Sequence, residues 1–206
     1  MTKRLTKIGV NPDFQELSSF IHELPTVFET GGKVIYKGRN ELKEFDVEGK
    51  KLIVKSYQLP HLLNRIIYNF FRASKAERSY SYALMLRKLG IGSPAPVGYY
   101  STGSWLLFGR SYFVCLKSDC PYTYRDFEKT VFPNQEQILR AIARTTAMLH
   151  ENGLLHKDYS AGNILFRTID EKVEVEIIDL NRMRFGNVGI EAVSYTHLTL
   201  PTNSLV

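Results

Sequence analysis

One stretch constrains this chain more than any other: His156-Lys157-Asp158-Tyr159-Ser160-Ala161-Gly162-Asn163-Ile164-Leu165-Phe166. A histidine, an aspartate two residues on and an asparagine five residues beyond that lead straight into an apolar strand, 164–166. A turn over 168–172 joins it to a second strand, 173–178, and Asp179 closes that strand sixteen residues after Asn163. A lone H-x-D would read equally well as a buried pair capping a turn. The asparagine, the strand on each side and the second aspartate favour a chemical reading over that structural one.

Composition narrows the rest. The chain has 206 residues, 44% hydrophobic and 23% charged, which excludes a disordered tail, a collagen-like chain and a bundle of membrane helices. Charge is uneven. Residues 1–110 hold 17 Lys and Arg against 9 Asp and Glu, and residues 111–206 hold 10 against 12. The N-terminal half is therefore the half expected to meet an anion. Cys115 and Cys120 have no neighbouring His or Cys to complete a metal site and read as reduced thiols. The start, MTKRLTKIGVNPDF, carries no long apolar core of a signal peptide, and no apolar run approaches the ~20 residues that cross a bilayer. The expectation is a cytoplasmic protein.

Upstream, residues 33–57 read as a three-stranded meander: Val34-Ile35-Tyr36, a strand with Leu42, Phe45 and Val47, and Leu52-Ile53-Val54-Lys55, which ends on a lysine. In 61–72 the residues Leu62, Leu63, Ile66, Ile67, Phe70 and Phe71 fill one half of a helical wheel. That face suits the core of a small lobe. With Arg65, Arg72 and Lys75 nearby, it also suits a helix lying on an anionic membrane surface. A second helix spans 75–89, with Ser74 as N-cap and Gly90 as its stop. Strands follow at 97–100 and 112–117, then a hinge at Ser118-Asp119-Cys120-Pro121 and a helix over 135–151 stopped by Asn152-Gly153. The order predicts an α+β chain in two lobes, an antiparallel sheet with helices followed by a mainly helical part. The expected boundaries are 15–117 and 118–193, with 194–206, which has no charged residue, as a non-native or disordered tail.

The H-x-D-x-x-x-x-N stretch with Asp179 resembles the catalytic loop and metal-binding aspartate of the protein-kinase-like fold. The resemblance implies ATP and Mg²⁺ as cofactors. It gives Asp158 the place facing the acceptor hydroxyl, His156 the task of holding the loop, and Asn163 and Asp179 the oxygen ligands of a hard cation. Lys55 stands where kinases keep a phosphate-binding lysine, and Glu77, one turn into the second helix, is placed to pair with it. The usual glycine-rich loop is reduced to Gly38, so Gly38-Arg39-Asn40 either covers the nucleotide phosphates or is a plain β-turn.

Further stretches narrow the resemblance to the lipopolysaccharide core kinases, which phosphorylate Kdo or heptose sugars of the inner core. They are Val54-Lys55-Ser56-Tyr57, Arg72-Ala73-Ser74-Lys75-Ala76-Glu77-Arg78, Leu89-Gly90-Ile91-Gly92-Ser93-Pro94-Ala95-Pro96 and Leu155 through Phe166. The resemblance covers roughly residues 15–185 and implies a lipid-linked sugar acceptor, peripheral membrane contact and no nucleic-acid partner. Two departures stand out. Lys157 replaces the usual arginine and cannot make its bidentate contact, so control by an activation-loop phosphate is not expected. Asn181 replaces the usual glycine, a change expected to be tolerated because Asn enters left-handed conformations. Only 27 residues follow Asp179, fewer than a kinase C-lobe needs, so the natural protein is expected to be longer. The alternatives are a phosphotransferase of the same fold acting on another small molecule or a protein, and a kinase-like binding module without turnover.

Overall fold

The computed structural model describes residues 4–57, 73–104, 108–170 and 172–186. The chain divides into two compact units, Met1–Leu84 with Ala95–Lys117, and Met85–Pro94 with Ser118–Val206.

The first unit opens with β1 (Arg4–Val10), a 3-10 turn (Pro12–Leu17), α1 (Ser18–His22) and α2 (Leu24–Thr30). Then come β2 (Lys33–Lys37), β3 (Glu41–Val47), β4 (Lys50–Tyr57), α3 (Lys75–Lys88), β5 (Pro96–Ser104) and β6 (Phe108–Leu116). The strands form one antiparallel sheet in the order β1-β5-β6-β4-β3-β2. The meander read from the sequence is β2–β4. β1 and the two short helices escape a local reading, because their partners lie far along the chain. β1 pairs with β5 throughout, and Gly9 leaves room for the Tyr99 ring, which would stand 2.3 Å from a Cβ there.

Leu17, Ile21, Leu24 and Phe28 pack on Phe45, Leu52, Val54, Val97, Tyr112 and Val114 to make the core. Side chains alternate along a strand, so with Leu52 and Val54 in this core Lys55 takes the opposite face of the sheet. β4 does not end on Lys55. Ser56 and Tyr57 continue it, paired with Tyr112 and Ser111 of β6, and the Tyr57 hydroxyl shares a 2.6 Å hydrogen bond with Ser79 on α3. A buried lysine is tolerated where its ammonium is hydrogen-bonded. Lys43 of β3 meets that condition by donating to the carbonyls of Phe28 (2.5 Å) and Gly31 (3.1 Å) at the end of α2.

α3 begins as expected. The Ser74 hydroxyl accepts from the Glu77 N–H at 3.1 Å, which satisfies one of the otherwise unpaired amides of a helix start. The helix read over 61–72 and the tail 194–206 lie outside the described residues.

In the second unit Gly90 takes a left-handed φ of +72° after α3, and Ile91 N–H donates back to Leu86. Next comes β7 (Tyr122–Thr123), α4 (Tyr124–Phe127), α5 (Gln135–Glu151) and β8 (Leu154–His156). A 3-10 turn (Ala161–Asn163) leads into β9 (Ile164–Ile169) and β10 (Lys172–Ile177). A second such turn (Leu180–Arg182) leads into β11 (Met183–Phe185). α5 buries Ile138, Ile142, Thr146 and Leu149, a stripe at helical spacing, against β10 and β8. Gly92 accounts for part of the glycine-rich stretch that follows α3. Its carbonyl accepts from Ile177 N–H at 2.9 Å, and a Cβ at 92 would stand 2.0 Å from the Val175 carbonyl oxygen. Only glycine lets the segment lie that close to β10, the strand that delivers Asp179.

Candidate active site

The loop around Asp158 is held by its own neighbours. β8 pairs with β11, with His156 opposite Met183, and Lys157 N–H donates to the Arg182 carbonyl at 3.2 Å. The His156 side chain is buried between these strands and β10. Its Nδ1 accepts from the Asp158 N–H (3.1 Å), so its Nε2 carries the proton and donates to the Ile178 carbonyl (3.0 Å). Burial pushes its pKa below the usual 6.5, against smaller opposing effects of the Ile178 hydrogen bond and the Asp179 and Asp158 charges. His156 is a neutral strut with both ring nitrogens engaged, so it positions Asp158.

Asn163 and Asp179 converge on the same backbone. Ile178 N–H donates to the Asn163 carbonyl at 3.0 Å, and Asn163 Nδ2 donates to the Asp158 carbonyl at 2.8 Å. That fixes the amide with Oδ1 as its remaining acceptor. Asp179 sits at φ 59°, ψ 46°, left-handed for a residue other than glycine, a strain that a surrounding site can sustain. The expectation for Asn181 is corrected here: the left-handed residue is Asp179. Asn181 is buried, and its Nδ2 donates to the Asp179 carboxylate. Among the described residues no group of three or more His, Cys, Asp or Glu could hold a metal ion. An Asn oxygen and an Asp carboxylate are nonetheless the hard donors that suit Mg²⁺, which keeps waters and binds few protein groups.

Asp158 itself is about half exposed, and its Oδ2 lies 3.3 Å from Arg182 Nη1. Arg182 escaped the sequence reading. It reaches Asp158 through the β8–β11 pairing, a long-range contact that no local pattern announces. Tyr159, also missed, is buried and shares a 2.7 Å hydrogen bond with Thr146 of α5; burial pushes its pKa up to about 12.

The other three candidates, Lys55, Glu77 and Gly38, lie in the first unit. Lys55 Nζ lies 5.4 Å from the centre of the Tyr57 ring. Glu77 Oε2 lies 3.8 Å from Lys7 Nζ and is buried without a hydrogen-bond donor. The expected Lys55–Glu77 pair is not among the ion pairs of the described residues. Gly38 stands in the β2–β3 turn, where its N–H donates to the Asn40 carbonyl at 3.1 Å and the Tyr36 hydroxyl covers the place of a Cβ. The turn lines a cavity of ≈ 270 Å³ with Glu29, Ser56 and Arg110. Cys115 and Cys120 are thiols, and burial pushes the Cys120 thiol up to about 11.

Comparison with known proteins agrees with this architecture. The model of the lipopolysaccharide kinase (Kdo/WaaP) family matches residues 37–187, which include every candidate residue above. No curated protein matches the sequence. Among solved structures, WaaP in complex with acyl carrier protein superposes with a TM-score of 0.67 at 17% identity, covering 94% of this chain and 79% of that one. WbdD superposes with a TM-score of 0.51 at 12% identity, over 80% of this chain and 36% of that one. The α+β, protein-kinase-like fold read from the sequence is the fold found. The chain belongs to the lipopolysaccharide kinase (Kdo/WaaP) family, phosphotransferases that act on sugar hydroxyls.

Proposed function

We propose that this kinase transfers the γ-phosphoryl group of ATP to a hydroxyl of a lipopolysaccharide inner-core sugar, Kdo or heptose, at the cytoplasmic face of the membrane. The observation that carries the reading is the double hydrogen bond of His156, which ties the Asp158 amide to the carbonyl next to Asp179. One strut thereby sets the spacing between the group that faces the acceptor and the group that faces the metal. Asp158 takes the proton of the attacking hydroxyl or aligns it. Asn163 and Asp179 hold Mg²⁺, which when bound neutralises charge on the nucleotide phosphates. Lys55 meets those phosphates. Glu77, with a buried carboxylate oxygen lacking a hydrogen-bond donor, steers it. Gly38 lies in the turn that takes the place of the glycine-rich loop. The two functional lobes are 15–117 and 118–193.

Membrane contact is supported by sequence alone, through the apolar face and basic flanks of 61–72. Among the described residues no helix is long and apolar enough to cross a membrane.

The test is direct. The purified chain is incubated with ATP, Mg²⁺ and either a Kdo-terminated or a heptose-terminated inner-core acceptor, and the products are weighed by mass spectrometry. One added phosphate on one acceptor, lost when Mg²⁺ is chelated, is the expected result. Transfer to neither sugar, with ATP bound normally, would overturn the reading.

A further inference from the structure

The Asp158 loop has a second arginine beside it that neither the family resemblance nor the roles assigned above employ. Arg125 lies on α4, a four-residue helix that is firmly anchored. Thr123 and Asp126 close a capping box at its start, with Thr123 N–H donating to Asp126 Oδ2 at 2.8 Å and Asp126 N–H to Thr123 Oγ1 at 3.3 Å. Phe127 stacks on Phe132 at 5.9 Å between ring centres, and both meet Phe166 of β9, the strand that begins right after Asn163.

From this base the Arg125 guanidinium reaches the loop backbone. Its Nη2 lies 3.2 Å, and its Cζ 3.6 Å, from the point a Cβ would occupy on Gly162. Gly162 does not have the left-handed φ that demands glycine. Its missing side chain instead makes room for the guanidinium. Three other arginines of this unit are engaged: Arg182 with Asp158, Arg167 with Glu174 and Asp119, Arg140 with Glu136. Arg125 is exposed and makes no hydrogen bond or ion pair among the described residues, since the adjacent Asp126 is spent on Thr123. A planar, permanently charged fork held beside Gly162, the residue before Asn163, with its donors open, suits a carboxylate or phosphate group.

We propose that Arg125 is a specificity residue that binds an oxyanion, carboxylate or phosphate, carried by the acceptor sugar next to the hydroxyl that reacts. The proposal rests on the reading of Asp158 as the group facing that hydroxyl.

The test uses binding as well as turnover. Calorimetry on the whole chain measures a deacylated, Kdo-containing inner-core oligosaccharide, its carboxyl-reduced form, its dephosphorylated form, and ATP. Arg125→Gln is expected to weaken the intact oligosaccharide roughly tenfold to hundredfold, as for loss of a hydrogen bond to a charged group. ATP affinity and melting temperature should hold, and Arg125→Lys should recover part of the loss. Wild type should lose as much on whichever modified oligosaccharide lacks the recognised group, which tells carboxylate from phosphate, and Arg125→Gln should lose nothing further there. Equal binding of the intact oligosaccharide by wild type and Arg125→Gln, loss of ATP affinity instead, or no oligosaccharide binding by wild type overturns the proposal. Arg125-dependent binding without phosphoryl transfer would count against the kinase reading of Asp158 alone.

Discussion

The Asp158 loop and the strand that carries Lys55 are built differently. Around Asp158 two candidate side chains are tied to backbone, His156 to Asp158 and Ile178 and Asn163 to Asp158, while the Asp158 and Asp179 carboxylates meet the Arg182 and Asn181 side chains. In the first unit Lys55 lies over Tyr57, Glu77 faces Lys7, and Gly38 sits in the β2–β3 turn, which lines a cavity. The loop is thus preorganised by hydrogen bonds among its own residues and the end of the hairpin that follows it.

The sharpest way to break this contrast is Asp158→Ala. Removing the carboxylate should lower kcat by ~10²–10⁴-fold, the range for general acid–base groups, while ATP binding is retained. Steady-state rates within about threefold of wild type would leave Asp158 without its role.

A smaller effect is expected from His156→Phe, which keeps the bulk and deletes both hydrogen bonds. Two partners, the Asp158 amide and the Ile178 carbonyl, are then left unpaired in a buried place, at a cost of about 1–3 kcal/mol each where no water replaces the ring. The pH dependence has a definite sign. Burial lowers the folded pKa of His156 below 6.5, so below that value the unfolded chain binds the proton more readily. Its contribution is complete above about pH 6.5 and is lost as pH falls through 6.5 to the folded pKa. Urea melts between pH 5 and 7 (roughly the range in which histidine titrates) should show that slope in wild type and a flatter one in His156→Phe. An unchanged slope would mean that the strut is not what the pH dependence reports.

The smallest effect belongs to the other side of the comparison. Lys7 is two-thirds exposed at 66%, and its 3.8 Å contact with Glu77 is weak. Lys7→Gln should change stability by no more than ~1 kcal/mol. Its use lies in sharpening the contrast: if Lys55 claims Glu77 when nucleotide binds, the substitution leaves ATP affinity unchanged or slightly higher. A clear loss of ATP affinity would make Lys7, not Lys55, the partner that matters.

The motif spacing was sufficient to bring out the loop because its contacts are local. His156, Asp158 and Asn163 lie within eight residues, and the β9–β10 hairpin returns Asp179 to them. Amphipathic and punctuation signals likewise set α5, the Ser74 cap and the Gly90 stop, since each depends on backbone groups within a turn of helix. Whatever depended on a distant partner was decided by the tertiary structure. β1 needs β5 to be a strand at all. Lys43 is buried because the end of α2 offers it two carbonyls. The left-handed residue proved to be Asp179, with Asn181 bonding its carboxylate. Arg182 and Arg125 reach the loop through strand pairing and aromatic packing, and neither contact has a period or a fixed spacing that a sequence could display. Local backbone geometry is encoded residue by residue. Side-chain partners across a fold are set only when the whole chain has packed and each charge has found what lies beside it.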